Sequence, residues 1–194
     1  MAPIARPQRA DARRNFDRLL AVAAEAIAER GAEASLDDIA KRAGVGPGTL
    51  YRHFPTRQHL LEAVFHERVE RLRDEAARLL EDEPDPDKAL EAWLRALVGH
   101  LRRYRGLSET LKEVHGLEAD IMIETRDMLR WSATALLTRA QEAGVARTDI
   151  DGVDLLRIGH GAGMVIVERG ADGDERAERL IRLLMDGVRT TTKA

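Results

Sequence analysis

The segment from Ser35 to Leu61 constrains the fold of this chain more than any other part of it. Ser35 and Asp38 have the S-x-x-D spacing of a capping box, which opens a short helix. Gly44 then permits the positive φ of a tight turn, and Pro47 suits the first turn of another helix, where a missing N–H costs nothing. A capped helix, a glycine turn and a second short helix in this order predict a helix-turn-helix, whose second helix lies in the major groove of DNA.

Apolar residues recur at helical spacing through almost all of the remaining sequence, and no segment has the alternation of a strand. The first helix ends near Gly31, and a long fourth helix begins at Thr56 and continues to about Glu81. The acidic, proline-containing segment 81–87 separates it from a fifth helix that starts at Pro86. Further helices are predicted at residues 107–115, 117–143, 153–169 and 174–189. The predicted fold class is therefore all-α, with about nine helices.

The composition excludes several kinds of chemistry. The chain has 194 residues, which suits one compact unit or two small ones that share a core. It contains no cysteine, and this excludes disulfides, cysteine-ligated zinc and a thiol nucleophile. We find neither an N-terminal apolar run nor an apolar stretch long enough to cross a bilayer. We therefore expect a cytoplasmic protein with no membrane partner.

Charge is distributed unevenly along the chain. The formal net charge is −3, but residues 1–60 carry ten Lys or Arg against seven Asp or Glu, so this end has a charge of +3 and the remainder has −6. A basic end can approach phosphates, which repel an acidic body. The first four arginines, Arg6, Arg9, Arg13 and Arg14, are interpreted either as an arm that contacts phosphates or the minor groove, or as a disordered tail.

The second helix of the motif has one face for the core and another for a ligand. Leu50 and Phe54 are four residues apart and predict its buried side. The small residues at its start allow close approach to a groove, and the hydroxyls, imidazole and guanidinium that follow can bond phosphates or base edges. The predicted DNA-binding residues are Pro47, Gly48, Thr49, Tyr51, Arg52, His53, Thr56 and Arg57. On spacing alone, a plain helical hairpin with a glycine turn stays open as an alternative.

Residues 44–61 read GVGPGTLYRHFPTRQHLL and resemble the signature of the TetR family of bacterial transcriptional regulators. The resemblance implies a homodimer. Each subunit would have a three-helix DNA-binding domain at residues 10–57, linked by the long helix 56–81 to a C-terminal domain at residues 58–194 that binds a ligand and dimerises. The implied function is a transcriptional regulator, interpreted as a repressor that binds a palindromic DNA operator as a dimer and responds to a small-molecule effector.

The resemblance also implies roles for single residues. Thr49, Tyr51, His53 and Arg57 stand where family members contact DNA. Gly46 replaces the Ser or Ala that is more usual before the recognition helix, so this helix has a weaker cap. The helix contains no Asn or Gln, so the sequence does not indicate which bases it reads.

The C-terminal helices carry two further sets of candidate residues. Methionine adapts to irregular ligands and tryptophan offers a flat wall with one donor, although core packing is the default interpretation of such residues. The predicted ligand pocket is formed by Trp93, Leu97, His100, Tyr104, Met122, Met128 and Trp131. Glycines four residues apart give a smooth helix face, which in a TetR-like chain would join the subunit interface. The predicted dimer interface is formed by Gly159, Gly163, Ile166, Ile181 and Leu184.

Patterns that could indicate catalysis or a cofactor are interpreted as structural. The glycines from Gly159 to Gly163 lack the preceding strand that a phosphate-binding loop needs. His59, Glu62 and His66 share one side of the fourth helix and could approach a metal, but they are interpreted as the polar face of an exposed helix. No Ser-His-Asp grouping or H-E-x-x-H motif is visible. We therefore expect no enzymatic activity, no cofactor and no metal. A TetR-shaped coactivator that acts through a protein partner, or an enzyme built from residues distant in sequence, stays open.

Overall fold

The computed structural model describes residues 10–104, 106–107, 110–111, 120–166 and 170–190. This part of the chain contains eight α-helices and no strand, which confirms the all-α prediction. None of its helices is long and apolar enough to cross a membrane. Most of the helix predicted at residues 107–115 lies outside the described residues.

The helices follow the predicted order. In the numbering used below they are α1 (Ala10–Arg30), α2 (Leu36–Arg42), α3 (Pro47–His53), α4 (Arg57–Asp82), α5 (Pro86–Arg103), α6 (Asp120–Glu142), α7 (Gly152–Val165) and α8 (Ala171–Val188), with a short 3₁₀ helix at Gly31–Glu33. The last helix begins earlier than residue 174, because Gly170 adopts a φ of 69° that only glycine takes readily and ends the connection there.

Side-chain caps fix where several helices begin. The hydroxyl of Ser35 accepts a hydrogen bond from the backbone N–H of Asp38 (3.3 Å), as the S-x-x-D spacing predicts. The hydroxyl of Thr56 accepts from the N–H of His59 (3.3 Å) at the start of α4. Helix α7 has a complete capping box: Asp151 accepts from the N–H of Asp154 (2.9 Å), whose carboxylate accepts from the N–H of Asp151 (3.2 Å).

The described chain divides into two compact units. The first comprises residues up to Glu67 together with 104–123, and the second comprises 68–103 and 124–194. The domain boundary predicted from the sequence lies near residue 57, whereas this division falls inside α4, between Glu67 and Arg68. Helix α4 therefore contributes residues to both units.

The core of the first unit joins α1, α2 and α3. Phe16, Leu19 and Ile27 are buried on α1, and Ile39 is buried on α2. The ring of Phe54, which follows α3, stacks on the ring of Phe16 with a centroid distance of 5.1 Å. This cluster fixes the orientation of α3 on α1 and so determines which side of α3 faces outward.

The core of the second unit is built on α5. Trp93 is completely buried, and its indole N–H donates to the backbone carbonyl of Leu72 in α4 (3.0 Å). The guanidinium of Arg139 in α6 donates to the carbonyls at the C-terminal end of α4, including those of Leu79 (3.2 Å) and Glu83 (2.7 Å). Because the last carbonyls of a helix have no intrahelical partner, Arg139 caps this end of α4 and ties it to α6.

Candidate DNA-binding site

The turn between α2 and α3 is closed by backbone hydrogen bonds. Gly44 has a φ of 66°, and its N–H donates to the carbonyl of Lys41 (3.1 Å), while the N–H of Val45 donates to Ala40 (3.0 Å). Gly46 precedes Pro47 in an extended conformation and offers no side-chain cap. The start of α3 therefore has the rigid φ of proline and no capping hydroxyl, as expected from glycine at this position.

Helix α3 has the two faces that its sequence predicts. Leu50 and Phe54 are fully buried against the first unit's core. On the other side, Pro47, Gly48 and Arg52 are exposed. Tyr51 also stays exposed to 47 %, although large aromatic side chains are usually buried. Thr49 is half-buried between the two faces. The helix therefore presents a small, partly apolar surface to the outside.

His53 is placed differently from the rest of the predicted reading face. Its imidazole is half-buried, with the ring edge-on to Phe16 at a centroid distance of 5.8 Å. Burial, with the nearby charge of Arg52, lowers the pKa of His53 below its usual value. The side chain is therefore a neutral imidazole at physiological pH. This packing favours a part in positioning α3 over a cationic contact with a phosphate.

The two residues at the start of α4 that are predicted to contact DNA make hydrogen bonds within the protein, although Thr56 is exposed. The hydroxyl of Thr56 caps α4 and lies 2.7 Å from Nδ1 of His59. The guanidinium of Arg57 donates to the carbonyl of Ala34 (2.7 Å). Arg57 thereby links the start of α4 to Ala34, the residue before the cap of α2. Helix α3 lies in the chain between these two connected residues.

Ion pairs hold α1 against α2 beside this site. The carboxylate of Asp38 accepts from Arg30 (3.0 Å) and from Arg42 (3.1 Å), and Arg42 also pairs with Glu29 (3.0 Å). Of the four arginines at the start of the chain, Arg13 and Arg14 are exposed on α1, while Arg6 and Arg9 lie outside the described residues.

The residues of the predicted dimer interface lie in the interior of their own chain. All five of its residues, Gly159, Gly163, Ile166, Ile181 and Leu184, are buried inside the second unit of the same chain. An added Cβ at Gly163 would lie 2.6 Å from Cβ of Leu101, and one at Gly159 would lie 3.1 Å from Cδ2 of Leu97. The glycine face does serve close helix packing, but the helix it packs against is α5 of its own chain.

Apolar residues outside the predicted interface are exposed on α6, α7 and α8. Ile123 is 39 % exposed, Trp131 48 %, Ile158 52 %, Val165 66 % and Leu183 61 %. The last three of these residues are not among those predicted from the sequence to form the dimer interface. Ile158 and Val165 are seven residues apart, so they share one face of α7, and this spacing was the signal available in the sequence.

The residues predicted to line a ligand pocket have very different environments. Trp93 and Leu97 are buried core residues, whereas Trp131 is exposed. Burial and the charge of Arg68 lower the pKa of His100 to about 4, so its imidazole is neutral. Met128 is half-buried. In the first unit, Tyr104 is half-buried and Met122 is buried. Trp93 and Trp131 are therefore poor candidates for a ligand wall, and the pocket stays a prediction.

Metal-binding groups are not concentrated anywhere in the described residues. No set of three or more His, Cys, Asp or Glu side chains there has the geometry to hold a metal ion. His59, which the sequence groups with Glu62 and His66, is instead held beside Thr56.

Comparisons with known proteins relate the chain to bacterial transcriptional regulators. Residues 19–64 match the family model described as bacterial regulatory proteins of the tetR family, and residues 85–190 match the model described as the C-terminal domain of SbtR-like transcriptional regulators. The crystal structure of the TetR transcriptional regulator SCO0520 from Streptomyces coelicolor is 37 % identical with a TM-score of 0.77, covering 91 % of this chain and 99 % of that one. A TetR regulatory protein from Mycobacterium vanbaalenii is 34 % identical with a TM-score of 0.70, covering 95 % and 100 %.

A curated relative matches over a shorter stretch. The nucleoid occlusion factor SlmA of Aliivibrio fischeri is 32 % identical over 97 residues, which are 49 % of this chain and 50 % of that protein. The chain thus spans about half the length of this relative in the match.

Proposed function

This chain belongs to the TetR family of bacterial transcriptional regulators, and from that premise we propose that it is a ligand-responsive repressor that binds a two-fold symmetric operator as a homodimer. The family and the fold are those of DNA-binding regulators rather than of enzymes. The observation that carries the proposal is the outward face of α3, where Pro47, Gly48, Tyr51 and Arg52 are exposed on a helix anchored by Leu50 and Phe54. Acting on chromosomal DNA, the protein would work in the cytoplasm.

Dimerisation is proposed through the exposed apolar surface of the second unit. Ile158 and Val165 on α7, with Leu183 on α8, are large apolar side chains that are more than half exposed. Leaving such side chains in water is unfavourable, and a cluster of them on neighbouring helices is typical of an interface. A homodimer related by a two-fold axis would present two copies of α3 to half-sites about one DNA turn apart, which explains why the operator should be a palindrome.

The effector response is proposed to act through α4. This helix starts beside α3 and its residues from Arg68 onward belong to the second unit. Trp93 and Arg139 donate to the backbone carbonyls of Leu72 and Leu79 in that second part. A small molecule bound among the C-terminal helices would favour a state of the dimer with low affinity for DNA, and by linkage the operator would weaken effector binding by the same factor.

Selection of bound sequences from random double-stranded DNA tests the proposal. The full-length protein should enrich one site with two-fold symmetry, and a screen of metabolites against that site should find a compound that releases it. Failure to enrich any symmetric site would contradict the proposed function. Weak binding without sequence preference that strengthens with an added protein partner would favour the coactivator alternative, and turnover of a substrate without DNA would favour an enzyme.

A further inference from the structure

The structure reduces the set of α3-region residues that can read bases. Of the eight predicted DNA-binding residues, His53 packs edge-on to Phe16, Thr56 caps α4, and Arg57 donates to the carbonyl of Ala34. On α3 itself the outward surface consists of Pro47, Gly48, Tyr51 and Arg52, with Thr49 at its edge. Thr56 follows α3 and is also exposed, but its hydroxyl is used by the cap of α4.

This remaining surface has an unusual chemistry for a base-reading helix. Between Gly44 and Arg57 the sequence has no Asn, Gln, Asp or Glu, so it lacks the carboxamides that bond adenine and the carboxylates that accept from cytosine. It offers instead a pyrrolidine ring at Pro47, a phenol ring at Tyr51 and one guanidinium at Arg52. In the major groove the apolar group on the edge of a base pair is the 5-methyl group of thymine.

We propose that α3 reads its operator through thymine methyl groups, which contact Pro47 and Tyr51, while Arg52 bonds a guanine or a phosphate. This inference rests on the proposed function, because it names the part of the operator that the same helix recognises. The exposure of Tyr51 supports it: this aromatic residue is 47 % exposed, whereas Leu50 and Phe54 beside it in the sequence are buried.

Gly48 is the second observation that points to close approach from outside. A Cβ added at Gly48 would meet no atom within 4 Å, and its backbone does not have the positive φ that requires glycine. The fold therefore does not require glycine here, although glycine in a helix lowers its stability. A bare position between Pro47 and Tyr51 lets the backbone of α3 approach the bases until both rings touch the methyl groups.

The test uses the full-length protein and the operator obtained by selection. Each thymine of the operator is replaced singly by deoxyuridine, which removes the 5-methyl group and leaves the hydrogen-bonding edge intact. At the contacted positions the affinity should fall about fourfold, which corresponds to about 0.8 kcal/mol for one buried group of this size at about 1.4 kcal/mol per factor of ten. At the other thymines it should stay unchanged.

Protein variants assign the contacts. Tyr51→Ala should weaken binding to the thymine operator and abolish the difference between thymine and uracil at one position in each half-site. Tyr51→Phe keeps the ring and should keep that difference, whereas a Tyr51 that acts through its hydroxyl on a phosphate would lose affinity equally for both DNAs. Gly48→Ala should fold with unchanged or higher stability and bind the operator more weakly. Gln58→Ala, at an exposed position on α4, is the control.

The outcomes separate this inference from the proposed function. If wild-type protein enriches no symmetric site, the proposed function fails. If it enriches one, the inference is overturned when deoxyuridine is tolerated at every position, when the half-site has no thymine at the α3 contacts, or when Gly48→Ala binds as tightly as wild type. A methyl effect that survives Tyr51→Ala and is equally unaffected by Pro47→Ala would also overturn it.

Discussion

Substitution of Gly163 by alanine measures how closely α7 approaches α5. In the structure the new Cβ would lie 2.6 Å from Cβ of Leu101 and 3.1 Å from its Cδ1. Carbon atoms prefer separations of about 3.5–4.0 Å, so the overlap is about 1 Å. Because Cβ of Leu101 is attached directly to the α5 backbone, no side-chain rotation relieves this overlap, and one of the two helices must shift.

The expected free-energy change combines two opposing effects. Overpacking of this kind costs about 1–3 kcal/mol, while replacing a helical glycine by alanine contributes about 0.5–1 kcal/mol of stability. We therefore expect Gly163→Ala to lower the free energy of unfolding by about 1–2 kcal/mol. At Gly159 the nearest atom is Cδ2 of Leu97 at 3.1 Å, the end of a flexible side chain, so Gly159→Ala should be nearly neutral.

Gly99 provides the matched control. It lies on α5, it is exposed, and an added Cβ there meets nothing within 4 Å. Gly99→Ala should therefore show the propensity gain alone, about 0.5–1 kcal/mol. The measurement is urea unfolding followed by circular dichroism at one fixed protein concentration, since dimerisation makes stability depend on concentration. A Gly163→Ala protein as stable as Gly99→Ala would refute the close contact between α5 and α7.

Four further predictions follow from other parts of the structure. Ile158→Glu should convert the dimer to monomers in sedimentation velocity. The control is Ile123→Glu, at an isoleucine of α6 that is 39 % exposed, which should leave the dimer intact. Equal behaviour of the two variants would exclude the α7 surface as the interface. Arg139→Ala and Arg139→Lys should each lower the free energy of unfolding by about 2 kcal/mol, because hydrogen bonds from a charged donor contribute about 1.5–3 kcal/mol. Lysine lacks the forked guanidinium that reaches several carbonyls, so a fully stable Arg139→Lys variant would contradict the capping role. Ser35→Ala should cost about 1 kcal/mol through loss of the α2 cap, and a change below the error of chemical denaturation would show that the cap does not stabilise the fold. His100 has a pKa of about 4 in the folded protein, below the value of about 6.5 expected when unfolded. Between these pH values the unfolded state binds more protons, so the free energy of unfolding should fall as the pH is lowered from 6.5 towards 4. The His100→Asn variant should show a shallower fall, and an unchanged pH profile would be inconsistent with a buried neutral imidazole.

The helix-turn-helix was predictable from sequence because its signals are local. The cap at Ser35, the turn glycine at Gly44 and the proline at Pro47 each act within a few residues, and the structure has them in the predicted conformations. The anchors Leu50 and Phe54 followed from a four-residue spacing on a short helix with one apolar side.

The roles of the C-terminal residues depended on long-range packing that local patterns do not contain. Helix α7 carries apolar residues on both sides, so its period does not indicate whether Gly163 or Ile158 faces its own chain. The contact of Arg139 with Glu83 joins residues far apart in sequence, and no motif marks it. His53 was predicted to contact DNA because the helical period places it away from Leu50 and because the family resemblance implies it. Its packing against Phe16 depends on the position of α1, which no local pattern contains.

A footprint of the protein on its selected operator tests the central claim most directly. Hydroxyl-radical cleavage of the bound DNA reports which sugars the protein covers along both strands. We expect two protected regions related by a two-fold axis and centred about one helical turn, or about 10 base pairs, apart, with both lost together in the Ile158→Glu variant. A single protected region, or uniform protection without symmetry, would contradict a dimer that places two copies of α3 in successive major grooves.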